Sequence, residues 1–222
     1  MSHCCTKFII LSIVIAAVLY PKSFTYVTVT TNTYVTNTQT VSFDAVSNLY
    51  VVRSDYGAAD FISAYSADYL TRWWRVANKV RNTDLRITVE KNTAVVTGTF
   101  RGTNITRSAV MKPGIPYFAS FDLAGKYLLA SKKESMDFLI LRFGDFEFFE
   151  MTIKNMGNES ITVGGKSIRA VHVRVTPSGM LAMFWHADYW FRPSDNEYVK
   201  FIGSQGPPGT PESIIELIAE KQ

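Results

Sequence analysis

His186 and Asp188 form a His-x-Asp pair within FWHADYWF, residues 184–191, where five of eight residues are aromatic. Side chains two apart on a strand point the same way, so the imidazole can meet the carboxylate as a general base meets its orienting acid. No nucleophile or third group is recognisable beside them, and a strand-end hydrogen bond explains the pair equally well. No catalytic residue is therefore assigned; a hydrolase using His186 and Asp188 stands as an alternative. His172, in IRAVHVRV, shares a strand face with Ala170 and Arg174, away from Val171, Val173 and Val175, which suits a solvent-side histidine. The remaining histidine is His3, in the leader, and the two cysteines, Cys4 and Cys5, lie there too. A His-rich zinc site, a disulfide and thiol chemistry are thus excluded from the folded part, and no metal or cofactor is expected. In FEFFE, Glu147 and Glu150 point to opposite faces, a poor couple for glycoside hydrolysis.

The aromatic surface of residues 184–191 exceeds what burying one strand face requires. It fits a two-sided core strand, the wall of a cavity for a lipid-like or apolar ligand, or a protein-contact patch. The cavity reading takes as its wall Phe184, Trp185, Tyr189, Trp190 and Phe191, with Tyr65, Tyr69 and Trp73 from earlier in the chain. Asn104-Ile105-Thr106 and Asn158-Glu159-Ser160 are glycosylation sequons, each at a turn or strand start, so Asn104 and Asn158 are candidate modification sites outside the cell.

The elements that must position these side chains come from 222 residues, of which 47% are apolar, 14% aromatic and 19% charged, with mean hydropathy +0.04. Such a chain buries a real core and leans toward a β-rich exported protein. The formal charge is +4, yet residues 44–222 hold all 19 acids and 21 of the 23 bases, so no basic face emerges and nucleic acid is not an expected partner. Phe8 to Tyr20 is an uncharged apolar run of thirteen residues, about 20 Å as a helix. It reads either as a signal-peptide core or as an uncleaved membrane anchor. The lack of a small-x-small site before Tyr20-Pro21-Lys22 favours the anchor. Residues 1–22 are accordingly the signal or anchor. Residues 23–43, uncharged and rich in Thr, Val and Tyr, are expected as an extended stalk, or in part (Tyr34–Phe43) as an edge strand. Residues 44–222 form a single extracytoplasmic domain.

Within that domain Phe61, Tyr65, Tyr69 and Trp73 recur every four residues after the caps Ser54 and Asp55, and no proline or internal glycine interrupts 58–80; the spacing predicts one long amphipathic helix. The period then becomes two. LRITVEK and AVVTGTF read as a hairpin, Thr103–Met111 as a third strand and Leu123–Ala130 as a short helix. Strands follow at Phe138–Phe143, Phe146–Ile153, Ile161–Val163, Ile168–Thr176, Met180–His186, Tyr189–Arg192 and Glu197–Ile202. IIELIA near the C-terminus fits a helix begun at Pro211 or a closing strand equally. The fold class this implies is α+β: a curved antiparallel sheet, half-barrel-like, wrapped around one long N-terminal helix.

ESITVGGKSIRAVHVRV followed by FWHADYWFRPSDNEYVKF resembles secreted bacterial and archaeal domains of unknown function that are in turn similar to the LolA-type lipoprotein carriers. The resemblance covers about residues 146–203 and rests on strand rhythm. It implies a curved antiparallel sheet that wraps a helix and holds acyl chains, and it supplies no catalytic residues. YSADYLTRWW and the hairpin after it resemble, in the same way, the cone-shaped nuclear-transport-factor-like fold. Residues 1–43 resemble the membrane-anchored surface proteins of thermoacidophilic archaea in composition. The expected function is a membrane-anchored or secreted, non-enzymatic domain that binds a lipid-like or apolar ligand in its curved sheet. A structural or protein-interaction module of the cell envelope is the alternative. Its expected partners are the membrane, through the N-terminal segment, and an apolar ligand or envelope protein.

Overall fold

The computed structural model describes residues 21–206 and 209–221. The expected anchor and the two cysteines fall outside them. The chain runs β1 (Lys22–Thr30), β2 (Thr33–Asp44), β3 (Leu49–Asp55), β4 (Ala59–Tyr65), β5 (Thr71–Asn78), β6 (Thr83–Glu90), β7 (Thr93–Phe100), β8 (Thr103–Val110), α1 (Phe121–Ala130), β9 (Ser135–Leu141), β10 (Phe148–Val163), β11 (Lys166–Pro177), β12 (Ala187–Phe191), β13 (Tyr198–Ser204) and β14 (Glu212–Lys221). All fourteen strands form one antiparallel sheet in the order 8-7-6-5-4-3-2-1-14-13-12-11-10-9, so the meander is complete once β14 inserts beside β1. The sheet is not closed: β8 and β9 are its two edges. It is strongly curved, because Ile87, Val96 and Ala109 near one edge share a core with Leu139 and Leu141 at the other. The segment before α1 covers the β9 edge, where Leu139 exchanges backbone hydrogen bonds with Pro116 and Phe118.

Three expectations are corrected. Residues 58–80 are not a helix but β4 and β5, reversed at Ser66–Leu70, where Tyr69 takes a φ of 64°. A spacing of four is shared by the helix and the strand, since it is also twice two; Phe61 and Tyr65 lie on one strand face as readily as on one helical face. The flanking Ser63, Thr71, Trp74 and Val76 are poor helix formers that suit a pleat, and each is paired in the ladder with a residue of a neighbouring strand. The helix in the hollow of the sheet is α1 instead, the short helix expected at Leu123–Ala130. Residues 23–43 are not a stalk and not an edge. They are β1 and β2, near the middle of the sheet, with Phe24 and Tyr26 fully buried on the inner face and threonines on the other. Met180–His186 is not a strand; its first part is a 3-10 turn, Gly179–Met183. The undecided C-terminal run is a strand, β14.

The hairpin read from GGK is present. Gly164 and Gly165 both take positive φ, the backbone that a two-residue turn of this hand demands. Near Asn155 and Gly157 a bulge bends this hairpin so that its tip folds over the outer face of β12–β14. Val163 and Ala170 there bury Trp190 and Val199, and the Lys200 Nζ donates to the Thr162 carbonyl at 3.1 Å.

Candidate functional site

The inner face of the sheet and α1 form one aromatic core. Tyr26 stacks on Tyr198 with ring centroids 4.5 Å apart, Tyr189 packs on Phe201 at 4.9 Å, and Phe118, Phe121 and Phe138 join them from the helix side. Leu123, Ala124 and Leu128 are the helix's buried stripe. Gly125 lies between them because a Cβ there would stand 2.2 Å from the ring of fully buried Phe191. The space between helix and sheet at these positions is filled by side chains.

The same core holds a buried ion pair. The Lys126 Nζ lies 2.8 Å from both carboxylate oxygens of Glu197, with side chains only 6% and 10% exposed. Burial works against the ammonium charge, but the Glu197 and Asp122 carboxylates outweigh it and hold Lys126 protonated well above its ordinary range. Burial also lifts the Glu197 carboxyl, against the pull of Lys126. Because both oxygens accept from the ammonium at hydrogen-bonding distance, the pair is ionic. Glu197 is placed by the turn after β12, which Arg192 and Asp195 brace at 2.6 Å.

On the outer face Asp188 is the hub of a second network. Its Oδ1 accepts from Arg174 Nε at 2.8 Å and lies 2.7 Å from His172 Nε2; the His186 Nε2 is 3.6 Å from Oδ2, too far for a hydrogen bond. His172 stacks on Trp190 at 4.8 Å, and the Trp190 indole donates to Glu159 at the bent hairpin. Burial alone would raise the Asp188 carboxyl, but the bonds from Arg174 and His172 prevail and hold it below the usual carboxylate range. The expected His186–Asp188 proximity is therefore real, but the carboxylate serves Arg174 and His172. Its geometry is that of a clamp joining β11, β12 and the folded hairpin. Among the described residues, no group of three His, Cys, Asp or Glu side chains converges as a metal site.

Of the eight residues expected to wall a cavity, Tyr65, Tyr69, Trp185, Tyr189 and Phe191 belong to one core or pack against it, and Trp73, Phe184 and Trp190 lie elsewhere. Tyr65, Tyr189 and Phe191 face the core, and Tyr69 stacks on Tyr65 at its rim. Trp185 packs on Phe121, with its indole nitrogen buried and without a partner. Trp190 is on the outer face under the hairpin, and Trp73 is on the outer face with Arg86 4.8 Å from its ring. Phe184 is in solvent. It ends a run expected as a strand that is instead exposed: Met180, Leu181, Met183 and Phe184 are 84%, 52%, 78% and 70% exposed on the connection between β11 and β12. The signal was there, since Pro177-Ser178-Gly179 marks a turn and turns are rarely followed by four large apolar residues without burial. Lys126 and Glu197 carried no such signal. Asn104 lies on edge strand β8, where its Oδ1 accepts from Thr99 at 2.8 Å, and Asn158 is exposed on β10.

No protein-family model matches the sequence, and no curated protein matches it significantly. Solved structures do. The beta-barrel-like protein of the domain of unknown function DUF1849 from Brucella abortus superposes with a TM-score of 0.60 at 11% identity, over 90% of this chain and 97% of that one. The hypothetical lipoprotein YmcC from Escherichia coli (K12) aligns at 11% identity over 88% of this chain and 86% of its own, with a TM-score of 0.39. The first likeness spans nearly all of both chains and shows the shared beta-barrel-like fold.

Proposed function

We propose that the chain is an extracytoplasmic, membrane-tethered, non-enzymatic domain that binds a lipid-like ligand by apolar contact at the Gly179–Trp185 loop. The observation that carries this reading is the exposure of Met180, Leu181, Met183 and Phe184 together in one turn. Four such side chains left in water add nothing to folding, whereas each gains about 1.5–3 kcal/mol on full burial, so an apolar partner is what makes them favourable. Methionine's flexible thioether adapts to an irregular or fluid surface. The resemblance of residues 146–203 to LolA-type carriers agrees with an acyl ligand, and the apolar run Phe8–Tyr20 supports the tether.

The topology separates Lys22 from the loop. Thr30 at the end of β1 lies beside Ser213, Ser213 beside Gly203, and Gly203 beside Ala187, so the loop before β12 sits at the Thr30 end of the sheet. Lys22, which follows the N-terminal segment, is at the opposite end, about 26 Å away along a nine-residue strand. Tethering through the segment before Lys22 would leave the loop facing away from that membrane, toward a ligand arriving from elsewhere. The packed interior argues for this site over a cavity beneath α1. Mass spectrometry of lipid extracted from purified residues 21–222 tests the reading. Lipid recovered from the parent and absent from Met183→Ser/Phe184→Ser supports it; equal recovery from both, or none from the parent, refutes it.

A further inference from the structure

A hollow of about 720 Å³ lies on the outer face of β2–β7, within the range of roughly 300–1,000 Å³ usual for small-molecule sites. The strand register writes its chemistry as two parallel rows. One row runs Thr40, Arg53, Ile62, Arg75 across β2–β5; the next runs Thr38, Asp55, Asp60, Ala77, Asp84, Thr99 across β2–β7. Directly opposed like charges destabilise a sheet, yet Asp55 faces Asp60 and Arg75 faces Arg86. Arg75 is partly satisfied by a bidentate pair with Asp84, 2.7 Å at Nε, and Arg86 by the Trp73 ring. Arg53, Asp60 and Lys79 make no side-chain hydrogen bond or ion pair among the described residues.

We propose that this hollow binds a neutral saccharide chain. Three cations (Arg53, Arg75, Lys79) and three carboxylates (Asp55, Asp60, Asp84) cancel, so neither an anion nor a cation gains from entering. A ligand that meets both rows at once must offer donors and acceptors within a few ångströms of each other. Vicinal hydroxyls do this, because each donates and accepts. The carboxylates accept from them, the guanidinium and ammonium donate to them, and the threonine hydroxyls do either. Ile62 gives the lining an apolar part for the C–H faces of the rings, while Phe61 beside it turns to the inner core against Trp74. The site is independent of the apolar loop, and its chemistry suits the glycans of a cell envelope.

The test is a ¹⁵N-NMR titration of the full-length protein in detergent micelles with neutral trimers of glucose (α- and β-linked), mannose, galactose and N-acetylglucosamine. Galacturonic acid trimer and a lysine-rich peptide serve as charged competitors. Expected are shifts confined to β2–β7 amides for at least one neutral trimer, with affinity falling roughly tenfold in Arg53→Ala and in Asp60→Asn. Both side chains are exposed, so the fold survives the substitutions. No shift with any neutral trimer at millimolar concentration overturns the proposal. So does binding unaffected by both substitutions, or a preference for either charged competitor.

Discussion

Replacing Lys126 by methionine should destabilise the protein by about 3–5 kcal/mol, and adding Glu197→Leu should restore most of that. At the observed 2.8 Å, two unit charges attract by about 6 kcal/mol if the effective dielectric is near 20. Each ion forfeits several kcal/mol of hydration where its side chain is 10% exposed or less, so the intact pair comes out near zero against an apolar pair of the same size. Lys126→Met alone removes the attraction and leaves the Glu197 carboxylate desolvated among Tyr65, Tyr198 and Asp122. Urea unfolding followed by tryptophan emission reads the difference as a shift in midpoint at constant slope. Glu197→Leu alone should be as costly as Lys126→Met, and the double variant should lie within about 1–2 kcal/mol of the parent. A loss below about 1 kcal/mol in the single variants, or a double variant as unstable as their sum, would show that the two groups are not a buried pair.

Gly125→Ala should cost about 1–3 kcal/mol by forcing α1 off the Phe191 ring, measured by the same unfolding curves. The Asp188 carboxyl is held below its ordinary value, so its contribution is present above the unfolded-state value near 3.9 and is lost as pH falls through the lower folded one. Stability of Asp188→Asn measured against pH should therefore converge on that of the parent in acid and fall below it near neutrality. His186→Ala, which removes only the 3.6 Å neighbour, should leave stability within about 0.5 kcal/mol of the parent. Met183→Ser and Phe184→Ser should likewise leave the unfolding midpoint unchanged to within about 0.5 kcal/mol while abolishing uptake of oleate, read by fluorescent fatty-acid displacement.

Most strands from Leu85 to Ile202 were legible because period-two alternation ends on turn chemistry, as where Gly164-Gly165 and Arg101-Gly102 adopt the positive φ that such pairs favour; Met180–His186 and the run that forms β14 were not. The region before them was misread for two separate reasons. Phe61, Tyr65, Tyr69 and Trp73 recur at a spacing that helix and strand share, and only the partners supplied by β3 and β6 decide between them. The Thr-rich stretch looked too polar on both faces to bury anything. Yet Phe24 and Tyr26 alternate with Thr25 and Val27, and the sheet on both sides of β1 completes their burial. At the candidate site, aromatic residues were found by composition but not by face. Bulges at Asn155/Gly157 and at Trp190/Phe191 change which side a residue faces, and nothing local in the sequence announces them. Lys126 and Glu197 are 71 residues apart, and their pairing exists only after α1 docks.

Hydrogen exchange of the backbone amides across Gly179–Trp185, with and without oleate, bears most directly on how this molecule meets its ligand. Oleate bound at the loop slows exchange there and leaves α1 and β12 unchanged. Slowing within α1 and β12 with the loop unaffected would place the ligand beneath the helix and contradict binding at the loop.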